Sequence, residues 1–271
     1  MIDARVLDAA PHLRLIAHSA GTVKGHLDRE VWRRDIAVTT AAQANGVPVA
    51  EYTLAFILLS AKGAFPAAAG FRRLHDMRAK EAMPAHVGNL GSTVGIIGAS
   101  RIGRLVLEML RPFHHRVLIA SPDLTPDEAT RIGGTLVPLE RLLEESDVVS
   151  LHAPILPQTI GMIGREQFAR MKSGATFINT ARGVLVDHDA LRDETSSGRL
   201  SAIIDVTDPE PLPPDDVLYT LDNVILTPHI AGSMGNELPL MGDSATTEVE
   251  RFAHGEPLVY PVTLDDLDRM A

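Results

Sequence analysis

The chain contains no cysteine, so disulfides and thiolate metal sites are excluded, and a reducing compartment is allowed without being required. It has no long basic run and carries a formal net charge of −10, which argues against a nucleic-acid backbone or an anionic membrane as its main partner. Its best apolar run, "TLAFILLSA" at residues 53–61, stops at Lys62 and is too short to cross a bilayer. The start lacks a signal-peptide pattern, because Asp3 and Asp8 stand where such a segment would be apolar. Internal repeats and low-complexity tracts are absent as well. What remains is a chain of 271 residues with 45% hydrophobic content, enough for one large α/β domain or two smaller ones. These bounds point to a small molecule as its partner.

The residues that are present alternate short β-like runs with longer helical ones. "HLRLIAHSAG", "TVGIIG", "RVLIAS", "DVVSLHAP", "ATFINTARG", "LSAIIDV" and "NVILTPHIAG" read as strands running into turns. Between them lie helical segments, among them "PVAEYTLAFILLSAKG" opened by Pro48 and "RIGRLVLEMLRPF" stopped by Pro112. Such alternation predicts a parallel sheet with crossover helices. Six of the strands fall between residues 94 and 230, as in one doubly wound sheet, while the first, at 12–21, stands apart. Residues 61–92, with two prolines and four glycines, read as loop and connector, and the tail after Pro228 reads as mostly helical.

The segment "TVGIIGASRIGRLVLEML" has the strand, turn and helix order of a dinucleotide-binding unit, whose turn brings backbone N–H groups and a helix N-terminus against a pyrophosphate. Its turn runs from Gly98 to Gly103, with Ser100 where the usual pattern has its middle glycine. By itself such a turn is weak evidence, but a further strand, "HHRVLIA", follows the helix at the expected distance. At that strand's end, where a carboxylate would hydrogen-bond the adenosine ribose, stands Ser121, with Asp123 two residues on. No arginine follows to attract a 2′-phosphate and Asp123 would repel one, so NAD is favoured over NADP.

Six segments, "NGVPVAEYTLA", "VGIIGASRIGR", "DVVSLHAPILPQTIGMI", "MKSGATFINTARGVLVD", "DVTDPEPLP" and "NVILTPHIAGS", fall in the order and approximate spacing of one enzyme family. Over nearly its whole length the chain resembles the D-isomer-specific 2-hydroxyacid dehydrogenases. The resemblance implies an α/β architecture with two parts: a Rossmann-like, doubly wound dinucleotide-binding domain over residues 48–232, and a smaller flavodoxin-like substrate domain from residues 1–47 and 233–271. It also implies hydride transfer between NAD(P) and a D-2-hydroxy acid or 2-keto acid, with no metal.

Three residues match the family's catalytic positions. Arg182 of "NTARG" would bind the substrate carboxylate and polarise the C2 oxygen, for which a planar, permanently charged fork suits better than lysine. His229 of "TPHIAG" would take the hydroxyl proton as hydride leaves C2, and return it in the reductive direction. Glu210 of "DPEPLP" would hydrogen-bond the other imidazole nitrogen and so fix its tautomer.

The cofactor positions implied by the same resemblance are Gly98, Ser100, Arg101, Ile102, Gly103 and Ser121 around the phosphate turn, Thr180 and Ala181 near the nicotinamide, Asp205 toward the carboxamide, and Gly232 in the turn closing over the ring. "HSAG" resembles the loop whose amides hold the substrate carboxylate, which makes Ala20 and Gly21 the backbone candidates there. His152 of "SLHAP" reads as a support of the cofactor pocket rather than a chemical group. The apolar "VAEYTLAFILL" is core or a subunit interface, and in the family the corresponding helix helps to form a homodimer. A cytoplasmic location is expected.

The greatest departure from the family lies at the N-terminus, where members normally begin several tens of residues earlier. The expectation is therefore a truncated substrate domain with an unpaired sheet edge. A second reading follows, in which the chain is a catalytically impaired, dinucleotide-binding dimer whose lid does not exclude water.

Overall fold

The computed structural model describes residues 1–81, 83 and 87–269. Along the chain the elements are α1 (Ala4–Asp8), β1 (Leu15–His18), α2 (Glu30–Arg33), β2 (Ala37–Thr40), α3 (Ala42–Ala61), α4 (Ala64–Leu74) and α5 (Arg78–Glu81). Then come β3 (Thr93–Ile97), α6 (Arg101–Leu110), β4 (Arg116–Ala120), α7 (Pro126–Ile132), β5 (Thr135–Leu136), α8 (Leu139–Glu145), β6 (Val148–Leu151) and α9 (Arg165–Arg170). The last are β7 (Thr176–Asn179), α10 (His188–Ser196), β8 (Ser201–Ile204), β9 (Val224–Leu226), α11 (Leu238–Ala253) and α12 (Leu264–Arg269). These elements form two compact units, one of residues 1–49, 154–156 and 232–271, the other of residues 50–153 and 157–231.

In the larger unit seven strands make one parallel sheet in the order β5-β4-β3-β6-β7-β8-β9. The chain starts at β3, winds outward through β4 to β5, returns beside β3 with β6, and proceeds the other way. That reversal puts a topological switch point between β3 and β6, the place where such sheets bind ligands at their carboxyl ends. The strands are mostly apolar without a strict alternation, as a sheet covered on both faces allows, and all five residues of β3 are buried. Helices α3 and α6 cover one region of it, with Ala50, Ile57, Val106, Leu107 and Leu110 packed in one cluster with Val94, Ile96, Ile119 and Ile178.

The smaller unit has its own core of Leu7, Val23, Leu27, Val31, Ile36, Val38, Val262 and Leu267. Its two strands, β1 and β2, pair in parallel from Leu15 with Ala37 to His18 with Thr40. The strand at 12–21 is thus separate from the main sheet, as its position in the sequence suggests. The sequence pattern does not single out β2 or β5: β5 is only two residues long, and β2 is Ala37–Thr40, whose two threonines break the apolar run that marks the other strands.

Two helical readings need correction. Residues 61–92 are not all connector, because α4 occupies Ala64–Leu74. The segment "AFPAAAGFRRL" is alanine-rich, and Pro66 falls in the first turn, where a backbone N–H has no helical partner to lose. Residues 82 and 84–86 of that stretch lie outside the described residues. Helix α3 begins at Ala42 rather than at Pro48, and the proline sits inside it. One hydrogen bond is lost there, and the burial of Ala50 and Ile57 further along outweighs it. At 20 residues α3 is long and apolar enough to cross a membrane by length and composition, unlike the nine-residue run read from sequence, as some core helices of globular proteins also are.

Candidate active site at the carboxyl edge of the sheet

The larger unit carries its chemistry-bearing residues on the turns that leave its strands. Gly98 follows β3, Ser121 follows β4, His152 follows β6, Thr180 to Arg182 follow β7, Asp205 follows β8 and His229 follows β9. Because every strand is parallel, all these turns share one edge of the sheet.

The turn after β3 is built from backbone. Gly98 has φ +89, and a Cβ there would lie 2.7 Å from the Ala153 nitrogen. A Cβ on Gly103 would lie 2.2 Å from the Gly98 carbonyl oxygen, so both positions admit only glycine. Ser100 has φ −65 and ψ −177, an extended conformation open to any residue, so the missing middle glycine does not distort the turn. Its side chain makes no cap hydrogen bond to α6, which leaves the first N–H groups of that helix, those of Arg101 and Ile102 among them, available to an anion. The Ser121 hydroxyl accepts from the Ala99 N–H at 3.1 Å, so it braces this turn. His152 is buried beside it, with Nε2 2.9 Å from the Ser150 hydroxyl, and burial pushes its pKa down to about 4. It is a neutral, packed imidazole behind the turn, where a Cβ on Gly103 would lie 3.3 Å from the His152 Cβ. Two glycines that only close backbone approach explains, with an uncapped helix start, fit a dinucleotide pyrophosphate.

The turns after β7, β8 and β9 are held instead by side chains. Asn179, 1% exposed, donates from Nδ2 to the Arg182 carbonyl at 3.0 Å and accepts from the Ala181 N–H at 3.0 Å. This fixes the turn that presents Arg182, whose Nη1 donates to the Ala181 carbonyl at 2.6 Å. Burial lowers the pKa of that guanidinium and the charge of Glu210 opposes the shift. A guanidinium remains charged throughout the ordinary pH range. Gly183 lets the chain pass against the loop that carries Glu210, since a Cβ there would lie 2.1 Å from the Thr207 carbonyl group.

His229 sits at φ +54, with its N–H donating to the Asp205 carbonyl at 2.9 Å. Its Nδ1 is 3.0 Å from Glu210 Oε1. A carboxylate can only accept, so the proton lies on Nδ1 and Nε2 is left as the basic nitrogen. The two side chains are 48% and 44% exposed, so the pair contributes little to stability and its value is orientation. Asp205, 2% exposed, accepts from Thr227 Oγ1 at 2.7 Å, the Ile230 N–H at 2.8 Å and the Ala231 N–H at 2.9 Å. Its carboxylate thus shapes the His229 turn, a job the sequence reading did not assign to it.

The structure therefore brings Arg182, Glu210 and His229 together, as well as Thr180, Ala181 and Asp205. Ala20, Gly21 and Gly232 belong to the smaller unit. There the Thr40 hydroxyl lies within reach of the Ala20 carbonyl, at 2.9 Å, and of the Gly21 carbonyl. Asn45 accepts from the Ser233 N–H at 2.8 Å, and a Cβ on Gly232 would lie 3.0 Å from the same oxygen. The sequence reading missed Asn179, which holds the Arg182 turn by its backbone, Gly183 beside it, Thr227, which donates to the Asp205 carboxylate, and Asn45, which holds the Ser233 N–H next to Gly232. Asn179 and Gly183 flank Arg182 in "NTARG", and Thr227 opens "TPHIAG", the signal that was there to be read.

Residues 54–231 match the family model described as D-isomer specific 2-hydroxyacid dehydrogenase, NAD binding domain. The chain is 36% identical over 260 residues to a glyoxylate reductase of Korarchaeum cryptofilum, covering 94% of this chain and 77% of that one. It is 34% identical over 269 residues to a D-3-phosphoglycerate dehydrogenase of Archaeoglobus fulgidus, covering 98% of this chain but only half of that one. Among solved structures it is similar to the TT0316 protein from Thermus thermophilus, with a TM-score of 0.79 at 35% identity, covering 96% of this chain and 82% of that one.

Proposed function

The chain belongs to the D-isomer specific 2-hydroxyacid dehydrogenases, oxidoreductases that transfer a hydride between NAD and a 2-hydroxy or 2-keto acid, and we propose that Arg182, Glu210 and His229 carry that step in this polypeptide. The observation that supports this reading most is the hydrogen bond from His229 Nδ1 to Glu210, beside an arginine that feels the same carboxylate.

Each group has a definite task. Bound at the turn after β3, NAD supplies or receives the hydride. The Arg182 guanidinium binds the substrate carboxylate and draws charge from the C2 oxygen. His229 Nε2 takes the hydroxyl proton during oxidation and returns it during reduction, while Glu210 stabilises the imidazolium that forms. Arg101 and Ile102 offer backbone N–H groups to the pyrophosphate, Thr180 and Ala181 line the nicotinamide side, and Asp205 reaches the carboxamide with the one acceptor site that its three bonds to the His229 turn leave over. Ala20 and Gly21 offer amides to the substrate carboxylate, with Gly232 in the turn over the ring. Ser121 in place of a carboxylate lifts one barrier to a 2′-phosphate, but no arginine follows to attract one and Asp123 would repel it, so NAD rather than NADP is the working cofactor.

The polypeptide acts as a cytoplasmic homodimer on small 2-keto or 2-hydroxy acids. Support for the dimer comes from Leu59, Phe71, Leu74 and Met77, which are 44%, 52%, 45% and 65% exposed along α3, α4 and the residues after them. Sedimentation measures it.

The deciding experiment follows NADH absorbance with a panel of 2-keto acids, for the wild type and for His229→Ala. Turnover by the first, with a loss of about 100- to 10,000-fold in the second at unchanged NADH affinity, is expected. Thermal stabilisation by NADH without turnover of any acid would move the chain to the second reading, a dinucleotide-binding dimer without catalysis.

A further inference from the structure

Two neighbouring residues of α3 reach two different catalytic turns of the larger unit. The Tyr52 hydroxyl lies 2.7 Å from Thr227 Oγ1, and the Thr53 hydroxyl lies 3.0 Å from Thr180 Oγ1. Neither residue belongs to the proposed catalytic trio.

The first contact has a fixed direction. Thr227 donates its proton to Asp205 Oδ1 at 2.7 Å, so the proton between Tyr52 and Thr227 comes from the tyrosine. Burial raises the pKa of the Tyr52 phenol, which keeps that O–H in place. The ring is packed on Phe56, with centroids 4.7 Å apart, and Phe56 in turn on Phe65 at 5.6 Å. The chain of bonds ends on the carboxylate that holds the Ile230 and Ala231 N–H groups, next to His229. The second contact is fully enclosed, with Thr53 0% and Thr180 5% exposed. It ends on the turn in which Asn179 holds the Arg182 carbonyl.

We propose that Tyr52 and Thr53 are a pair of positioning residues, through which one helix sets the placement of His229 by way of Thr227 and Asp205, and of Arg182 by way of Thr180. The inference rests on the roles proposed for those two side chains. A helix is stiff over one residue step, so the two hydroxyls fix the base and the carboxylate anchor against a common reference. Each bond has its own kinetic signature. Loss of the tyrosine hydroxyl loosens the base and lowers kcat; loss of the threonine hydroxyl loosens the anchor and raises KM for the keto acid.

The test compares Tyr52→Phe, Thr53→Val and Thr53→Ser by steady-state kinetics, NADH affinity and amide hydrogen exchange. In Tyr52→Phe, kcat falls about tenfold with KM little changed, and the Ile230 and Ala231 amides exchange about tenfold faster. In Thr53→Val, KM rises about tenfold and the Ala181 amide exchanges faster, while Thr53→Ser restores both values. Exchange of the Leu118 and Ile119 amides in β4 stays at the wild-type level in all three, and NADH affinity, to which Thr180 and Asp205 also contribute, changes by less than about threefold because the pyrophosphate turn is untouched. Equal acceleration of all these amides would overturn the proposal, because it would mean general destabilisation. So would variants that leave exchange and kinetics unchanged while the wild type turns over and His229→Ala does not, an outcome in which the functional reading stands. A wild type without turnover refutes the functional reading, and local exchange in the variants then decides the bracing alone. Should Thr53→Val fail to fold, Tyr52→Phe and Thr53→Ser carry the same comparison.

Discussion

The turn after β3 and the turns after β7 and β9 occupy the same edge of one sheet, yet they are made rigid by different means. The first depends on what is missing: no Cβ at Gly98 or Gly103 and no side-chain cap on α6. The others depend on buried polar side chains, Asn179 and Asp205, that hold backbone groups in place. A turn that approaches a large anion must leave the N–H groups at its helix start free, here those of Arg101 and Ile102, even though Ser121 braces the Ala99 N–H just before them. A turn that presents one side chain must keep that side chain from moving, and hydrogen bonds to its backbone do this.

If that contrast holds, substitutions in the two kinds of turn separate binding from chemistry. The largest effect is expected for Gly103→Ala, whose added carbon meets the Gly98 carbonyl at 2.2 Å. Calorimetry should show NADH affinity reduced more than about 100-fold, with stability lower by about 1–3 kcal/mol; affinity within threefold of the wild type would refute the backbone account.

Next is the support beneath that turn. Burial holds the pKa of His152 down to about 4 from 6.5, so between those values the unfolded chain takes a proton that the folded chain refuses. Stability is therefore complete above pH 6.5 and falls as pH drops toward 4, by about 3 kcal/mol in all at 1.36 kcal/mol per pH unit. Burial lowers the pKa of His18, His115 and His188 too and adds slope of the same sign. Urea midpoints between pH 7.5 and 4.5 should decline, and His152→Gln should flatten the decline. An unchanged slope in the variant would remove His152 as its source.

Gly183→Ala works on the other kind of turn. Its Cβ would collide with the Thr207 carbonyl group at 2.1 Å and displace the loop bearing Glu210. We expect kcat to fall about 10- to 100-fold, equivalent to about 1–3 kcal/mol, with NADH affinity intact. Reduced affinity with normal kcat would reverse the comparison. The smallest effect is expected for Ser100→Gly. Since Ser100 is extended and caps nothing, restoring the usual glycine should change NADH affinity by less than about threefold; a large gain would show that the serine obstructs the phosphates.

Most of the sheet was legible in the sequence. Continuous apolar runs such as "VGIIG" and "DVVSL" mark strands buried on both faces, and six of them lie in the main sheet where the pattern puts them. The helices were less legible where proline and glycine misled. Pro48 and Pro66 look like boundaries, but one is crossed within α3 and the other falls in the first turn of α4. Within the candidate site, Arg182, Glu210 and His229 stand out because their short motifs resemble a known family. Tyr52, Thr53 and Thr227 do not, since a hydroxyl acquires its meaning only from the atom opposite.

The sequence by itself determined the alternation of strand and helix, the glycines that the phosphate turn requires, and the residue types able to anchor a carboxylate and move a proton. These follow from local backbone chemistry and side-chain pKa. Tertiary structure decided which nitrogen of His229 is basic, by bringing Glu210 across 19 positions to Nδ1. It also turned Asp205 toward the backbone of the His229 turn and set Tyr52 against Thr227, 175 positions away. Hydrogen bonds of that kind depend on distances of a few tenths of an ångström between remote segments, and those distances are fixed only once the sheet has packed.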